Sequence, residues 1–483
     1  MNRSATAALV FALSIFTAPA LTAKEMTILV HPFENTGDQA YSWISAGMTS
    51  SVVSDLGKIQ DVTVISEPDR KKAVDEIQLG LTGLVDEQKA VKVGRVLGAN
   101  LIFSGNYLVA GTQVRVNAVL IDVEKGSVQK SVKVDGTLGG IFDLQDRIVF
   151  ALMAETEKVK IADVKPVRFT DDEKKKIETA EKPSFSAYEL YAKGLQVRGS
   201  NPRTALDYFK KALEQQPDYL AALGEAGYTA GSVLNLFAEG LGYLERADAL
   251  FVKRAGTNTR EYANLMARTG LVYKEMDKLD KALECYAKSR DIRDTLGLQN
   301  TSGYAALMTN TGSAYWKKGQ YDKALELYGI SEKIKDSLGE QKTSGYAALL
   351  TNIGLVYAGK KQPDTAMEYY IRAREIRDAL ALQKTDSYAV LLSAIGSVYF
   401  HKGAYDQARE NYVRAQEIRD ALGLADTTDY AGLLFNIGLT GEKQGNKELA
   451  GQYFRKAYDT YVKTGYTGAN RDRALKNAER LGH

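Results

Sequence analysis

The sequence predicts an α+β domain, a sheet of about five strands with helices against it, followed by an all-α superhelix. Two observations carry that prediction. Residues 26–158 alternate between short apolar runs of strand character and longer runs with helical spacing. From Tyr262 onward, four columns of residues recur at one fixed period. Composition bounds the rest. Of 483 residues, 25% are charged and 45% hydrophobic, which is ordinary for a folded chain. Lysine and arginine total 63 against 60 acids, a formal net charge of +3. A balance so near zero gives no electrostatic ground for binding nucleic acid or an anionic membrane. Three histidines and one cysteine leave little for a metal site and nothing for an intrachain disulfide. No cofactor, no metal and no catalysis are expected.

Met1 to Ala23 have the parts of a secretory signal peptide: Arg3, an apolar core from Ala5 to Phe16, and the small-residue site Leu21-Thr22-Ala23. The core is about twelve residues long, short of the ~20 needed to span a bilayer. No cysteine follows it that could take a lipid anchor, since Cys285 lies far downstream. The expectation is an exported, periplasmic protein starting near Lys24, with no transmembrane segment in the mature chain; peripheral association with the outer membrane is compatible with it.

Within 24–158, Thr27 to Phe33 reads as a strand ended by Pro32 and Asn35-Thr36-Gly37. Tyr41 to Ile59 reads as an amphipathic helix through Trp43, Ile44, Met48, Val52 and Leu56. Val62 to Ser66 is a second strand, and Asp69–Gln78 and Asp86–Leu97 are helices, the latter closed by Gly98. Asn100–Val109, Val114–Val123 and Val128–Val134 form an antiparallel meander, joined at Ala110-Gly111-Thr112 and Glu124-Lys125-Gly126. A last helix runs from Ile141 to about Glu157. Three segments, ILVHPFENTGDQAYSWISAGMTSSVVSDL from Ile28, DEQKAVKVGRVLGANLIFSGNYLVAGTQVRVNAVLIDVEKGSV from Asp86 and IFDLQDRIVFAL from Ile141, resemble in order the CsgG / TolB-N-terminal / FlgO-type domain. That resemblance implies an exported, non-enzymatic module of bacterial envelope assemblies. The chain lacks the lipid-anchored cysteine of the curli export channel and any strand pair that would add a membrane barrel. Residues 159–183, with Asp171-Asp172-Glu173-Lys174-Lys175-Lys176, read as a charged, solvated linker or short exposed helix.

Tyr262, Tyr304, Tyr346, Tyr388 and Tyr430 stand 42 residues apart, each followed by alanine. Gly270, Gly312, Gly354, Gly396 and Gly438 keep the same step. So do Ala282, Ala324, Ala366, Ala408 and Ala450, and Tyr286, Tyr328, Tyr370, Tyr412 and Phe454. Each unit reads as two helices joined by a turn such as Lys318-Gly319-Gln320. The small residues would permit close helix contact and the tyrosines would fill spaces between pairs. The order Gly-x-x-Tyr, turn, Asp-x-Ala-x-x-x-Tyr resembles the tetratricopeptide repeat in its longer, kinesin-light-chain-like form. Five such repeats fill 258–470, two irregular helix pairs fill 184–257, and 471–483 read as a capping helix.

A helical wheel puts Met308, Thr311, Gly312 and Tyr315 on the packing side of the first helix. Thr309, Asn310, Ser313 and Lys317 fall opposite, with Trp316 at the margin. The resemblance implies that the opposite side lines a concave, partner-binding groove. The period extends it to Thr351 and Asn352, to Ser393 and Ser397, and to Asn436. An asparagine amide both donates and accepts, so Asn310, Asn352 and Asn436 could pair with an extended peptide backbone. The alternative is a consensus residue bonding a neighbouring backbone. Trp316 fits either an anchor or inter-repeat packing. Arg293-Asp294, Lys335-Asp336, Arg377-Asp378 and Arg419-Asp420 form a second ladder near the ends of the second helices, where a cation suits the helix terminus. No phosphate loop, zinc-hydrolase motif, nucleophile elbow or CxxC occurs. His31 reads as a strand-end residue and Cys285 as a buried thiol.

These readings converge on a non-catalytic adaptor of the bacterial envelope, holding a protein or peptide partner in the groove. Two alternatives run through the first domain: regulation of a peptidoglycan enzyme, and an oligomeric secretion component. The second of these requires self-association.

Overall fold

The computed structural model describes residues 26–60, 62–65, 91, 94, 95, 97–156, 158, 161, 164, 167–254 and 256–483. The leader and the expected helix Asp69–Gln78 lie outside the described residues, as does most of Asp86–Leu97. The first strand, β1 (Met26–Val30), is buried on both faces, which suits a central position. It pairs in parallel with β3 (Val62–Val64) on one side and β4 (Leu101–Ala110) on the other. From β4 the chain runs as an antiparallel meander through β5 (Gln113–Asp122) and β6 (Ser127–Thr137), giving the order β3-β1-β4-β5-β6. The strand expected over 27–33 ends at Val30. Beyond Pro32, which has no amide hydrogen to donate, the chain pairs again with β4 as β2 (Glu34–Asn35), the sixth strand. Gly105 of β4 has no substitute: an added Cβ would stand 2.2 Å from the Asn117 carbonyl oxygen of β5.

One sheet face is covered by α1 (Trp43–Leu56) and α2 (Ile141–Thr156). Ile44, Met48, Val52, Leu144, Ile148 and Leu152 pack there against alternate residues of β5, Val114, Val116, Ala118 and Leu120. The other face gathers Leu29, Ile102, Ile121 and Val123.

The stretch expected to be a solvated linker is in part packed. Its helix α3 (Asp171–Glu178) opens on a capping box between Thr170 and Glu173, and Glu173 also accepts from the Gln60 amide at 2.7 Å. Val167, Phe169 and Ile177 are buried in the core beneath α1 and α2, and Lys182 is paired with Asp146 at 2.8 Å. The charges dominate the composition here, but three apolar residues decide the position.

After α3 the chain is helical: α4 (Phe185–Val197), α5 (Pro202–Gln215), α6 (Leu220–Tyr228) and α7 (Phe237–Lys253) form two irregular pairs. Five regular pairs follow: α8 (Arg260–Glu275) with α9 (Leu279–Thr295), α10 (Ser302–Lys317) with α11 (Tyr321–Leu338), α12 (Ser344–Gly359) with α13 (Pro363–Ala379), α14 (Asp386–His401) with α15 (Tyr405–Ala421), and α16 (Thr428–Lys443) with α17 (Lys447–Lys463). The last helix, α18 (Ala469–Arg480), packs against α17 through Ala474 and Ala478. Each regular first helix starts the same way: Thr259, Thr301, Thr343, Thr385 and Thr427 are N-caps accepting from the amide of the column tyrosine three residues on, at 3.2 Å. The tyrosine column thus marks the third residue of a capped helix.

The glycine column explains the second tyrosine column. Gly354 lies under the Tyr370 ring, where an added Cβ would be 2.4 Å from Cε1; Gly270, Gly312 and Gly396 meet Tyr286, Tyr328 and Tyr412 in the same way. These tyrosines fill the space within a pair, not between pairs as expected. Gly354→Ala is therefore expected to lower stability by about 1–3 kcal/mol, because the ring is held between two helices and has no room to retreat. Chemical denaturation of the single variant and of Gly354→Ala/Tyr370→Leu checks this. An undiminished Gly354→Ala protein would sink the close-contact account.

The α+β domain is fused to the array. Trp43 of α1, 4% exposed, packs edge-on against Phe185 and Tyr188 of α4. Gln145 of α2 donates to the Tyr188 hydroxyl at 2.6 Å, and Ser50 and Tyr191 are hydrogen-bonded at 3.0 Å. One continuous apolar core runs from Met26 to Val272. The array also reaches back farther along. Arg260 donates to the Val62 carbonyl at 3.2 Å, Gly98 lies against Thr343 and Glu340, and Leu380 packs onto the second sheet face.

Candidate partner groove

The groove is built from the first helices. Each is packed against its own second helix and against the neighbouring repeats, so only a narrow stripe stays open. The expected site residues divide accordingly. Asn310, Asn352 and Asn436 belong to the column that begins with Arg268, and both ends of that column line cavities. The three asparagines are half-buried, and among the described residues their amides have no hydrogen-bond partner. Ser393 also lines a cavity, with its hydroxyl donating to the Ala389 carbonyl at 2.9 Å. Lys317 is exposed.

The remaining residues make contacts within the repeats. Thr309 pairs with Ser331 of α11 at 2.9 Å, and Thr351, 5% exposed, donates to the Ala347 carbonyl. Ser313 and Ser397 face the Tyr328 and Tyr412 hydroxyls of their own second helices. Trp316 packs into the seam with the next repeat, against a cluster holding Tyr328, Leu349 and Ile353. A wheel assigns half a helix to solvent, whereas packing against several neighbours leaves much less. Thr309, Ser313, Trp316, Thr351 and Ser397 therefore each make contacts within the repeats.

The second ladder is buried, which its position at helix ends did not reveal. Arg293, Lys335, Arg377 and Arg419 are each at most 8% exposed, and Arg293, Lys335 and Arg377 lie against Gly303, Gly345 and Ser387 at the start of the next first helix. Arg293 donates to Asn264 at 2.6 Å, Arg377 to Ser387 at 2.6 Å and Arg419 to Asp386 at 2.8 Å; Lys335 is paired with Glu340 at 2.7 Å. Burial, with Arg260 nearby, pushes the Arg293 guanidinium down to about 10. The accompanying aspartates latch the repeats: Tyr388 donates to Asp378 at 2.9 Å and Tyr430 to Asp420 at 2.5 Å. The signal for this was present in the sequence as a constant ten-residue offset between aspartate and tyrosine columns.

Two cavities open along the groove. The first, about 530 Å³, lies at the junction, between α1, α2 and residues 180–183 on one side and α4, α6 and α8 on the other. Its wall includes Phe142, Tyr191, Tyr219, Arg268 and the buried carboxylate of Glu225. Glu225 is shared by Arg198 and by Arg268, the latter at 2.9 Å. Burial raises its carboxyl, but the two guanidiniums more than offset that and hold it below the usual range. The second cavity, about 560 Å³, lies at the far end between α14, α16, α17 and α18.

Among the described residues no cluster of three or more histidine, cysteine or acidic groups could hold a metal ion. Burial pushes the Cys285 thiol up to about 11, so it is almost wholly protonated at neutral pH. Among the described residues no helix is long and apolar enough to cross a membrane.

A family model for the tetratricopeptide repeat matches residues 263–337, 303–379 and 387–461. The repeats of this chain are of that kind. A curated relative, "Putative adenylate cyclase 3" of Rhizobium meliloti (strain 1021), is 26% identical over 209 residues, which are 42% of this chain and 32% of that protein. The chain thus spans about a third of that relative's length. The apo form of RapI is similar over 58% of this chain and 98% of its own, at 17% identity and a TM-score of 0.47. A tetratricopeptide repeat protein from Parabacteroides merdae ATCC 43184 is similar over 62% and 99%, at 16% identity and a TM-score of 0.41.

Proposed function

We propose that this protein is a non-catalytic adaptor of the bacterial envelope that holds an extended segment of a partner protein in the groove of its repeat array. The observation that supports the reading is the asparagine column: three half-buried amides stand on the first helices with neither donor nor acceptor used among the described residues. Amides left free on an open face are suited to pairing with the N–H and C=O groups of a bound backbone, independent of its side chains. The secretory leader and the resemblance of the first domain to CsgG / TolB-N-terminal / FlgO-type modules support export to the periplasm. The α+β domain, fused to the array at α4, would set the position of the groove relative to whatever that domain docks on.

The test is affinity capture from envelope extract with the mature wild type and an Asn310→Ala/Asn352→Ala/Asn436→Ala variant. A discrete partner retained by the wild type, and reduced at least about tenfold on a variant of unchanged thermal stability, is the expected result; three lost hydrogen bonds at about 1 kcal/mol each would suffice. Equal capture by both proteins would make the asparagines irrelevant to binding.

A further inference from the structure

The 530 Å³ cavity at the junction has walls from two parts of the chain: α1, α2 and residues 180–183 on one side, α4, α6 and α8 on the other. Five aromatic rings line it, Phe142, Tyr188, Tyr191, Tyr219 and Phe251, and none of them belongs to the asparagine column. Phe142 of α2 meets Tyr188 of α4 at 4.9 Å between centroids, and Tyr191 meets Tyr219 at 5.1 Å. The polar groups of the walls are mostly taken up by one another. Asp55 is paired with Lys58 at 2.7 Å, Lys182 with Asp146, Arg254 with both Glu181 and Asp218, and Glu225 with both Arg198 and Arg268. Gln145 donates to the Tyr188 hydroxyl, and the Ser50 and Tyr191 hydroxyls bond each other. Glu261 has no ion pair among the described residues, but it is exposed, where water and salt screen it. Tyr219 differs from its neighbours. Its hydroxyl has no hydrogen-bond partner among the described residues, and burial pushes its ionisation well above the usual phenol range, so it stays an O–H that can both donate and accept.

We infer that the junction cavity is a binding site for a neutral, largely apolar small molecule, its ring system held between the aromatic walls and one polar group bonded to the Tyr219 hydroxyl. Small-molecule sites span roughly 300–1,000 Å³ and are mostly apolar, with a few placed polar groups, which is the character of this cavity. A charged ligand is disfavoured for a physical reason. The buried charges of the walls already have counter-charges, so a ligand that took one of them would leave its present partner buried and unpaired. Ring faces and edges, by contrast, are open to a further ring in stacked or edge-on contact. Because the two walls belong to the α+β domain and to the array, the same ligand would tie the two together. The site is separate from the asparagine column and stands independently of the groove reading.

Titration of the full mature chain with N-phenyl-1-naphthylamine, an uncharged aromatic amine whose fluorescence rises on leaving water, tests this. Saturable binding of one probe per chain is the expected result. Ala221 of α6 and Ser54 of α1 are exposed and line opposite walls, so Ala221→Trp and Ser54→Trp fill the cavity from either side without entering the core. Each should weaken binding at least about tenfold at unchanged thermal stability, and Tyr219→Phe, which keeps the ring, about fivefold. Among competitors sharing one ring system, 2-naphthalenemethanol should displace the probe better than 2-naphthoate or 2-naphthylmethylammonium. Preference for the carboxylate would make the cavity an anion site on Arg268, and preference for the ammonium a cation site on Glu261; either overturns the neutral ligand. Unchanged affinity of Tyr219→Phe overturns the part given to the hydroxyl. No saturable binding, or binding that survives both tryptophan variants, overturns the site itself, as does binding lost only on the triple asparagine variant.

Discussion

Trp43→Ala should destabilise the α+β domain and the first helix pairs together, by about 3–5 kcal/mol. The indole is 4% exposed and belongs to α1, yet its ring contacts are to Phe185 and Tyr188 of the array. Its removal leaves a cavity in a core that both regions share, so the loss cannot be confined to one of them. Hydrogen exchange gives the readout. Amides of α1, α4 and α5 should lose protection in parallel, while those of α14 and α16, far along the array, should keep it. Loss confined to α1 would mean that the two regions are separate folding units joined by a tether.

Glu225→Ala is the second large effect, at about 3–5 kcal/mol. The carboxylate is buried and is shared by Arg198 and Arg268, so its removal withdraws a common counter-charge from two guanidiniums at once. The pH dependence follows from the direction of its shift. A carboxyl held below its unfolded value contributes its full stability above that unfolded pKa and loses it as pH falls through the lower, folded one. The wild type should therefore lose stability on acidification below about pH 4.5 by a component that Glu225→Gln lacks. Denaturation of both proteins at neutral pH and at successively lower pH measures it. Identical acid profiles would show that Glu225 does not titrate with folding.

Legibility in the sequence followed the range of the interaction. The meander from Leu101 to Thr137 was readable because its turns are local: Gly111 and Gly126, both at positive φ, sit in the joins expected of them. The five repeats were readable because one pattern of close helix contacts is written five times. The pairing of Gly354 with Tyr370 was half-visible: both columns were seen, but a one-dimensional pattern does not say whether a tyrosine packs within its pair or beyond it. The groove was the least legible. Thr309 and Asn310 are adjacent and similar in polarity, yet the first is hydrogen-bonded to Ser331 across the pair and the second has no side-chain hydrogen bond among the described residues.

By itself, then, the sequence determined the fold class, the repeat period, the turn that joins the two helices of a repeat and the absence of recognisable catalytic motifs, since each depends on residues close together or on a pattern repeated in register. Only the tertiary structure decided that the charged stretch before the array is partly buried, that the basic ladder lies beneath helix ends, and that the α+β domain and the array share one core. Each of those outcomes depends on partners distant in the chain: Glu173 on Gln60, Lys182 on Asp146, Trp43 on Tyr188, Arg260 on Val62. A helix displays its periodicity whatever it packs against, but which of its faces remains open is fixed by neighbours that its own residues do not name.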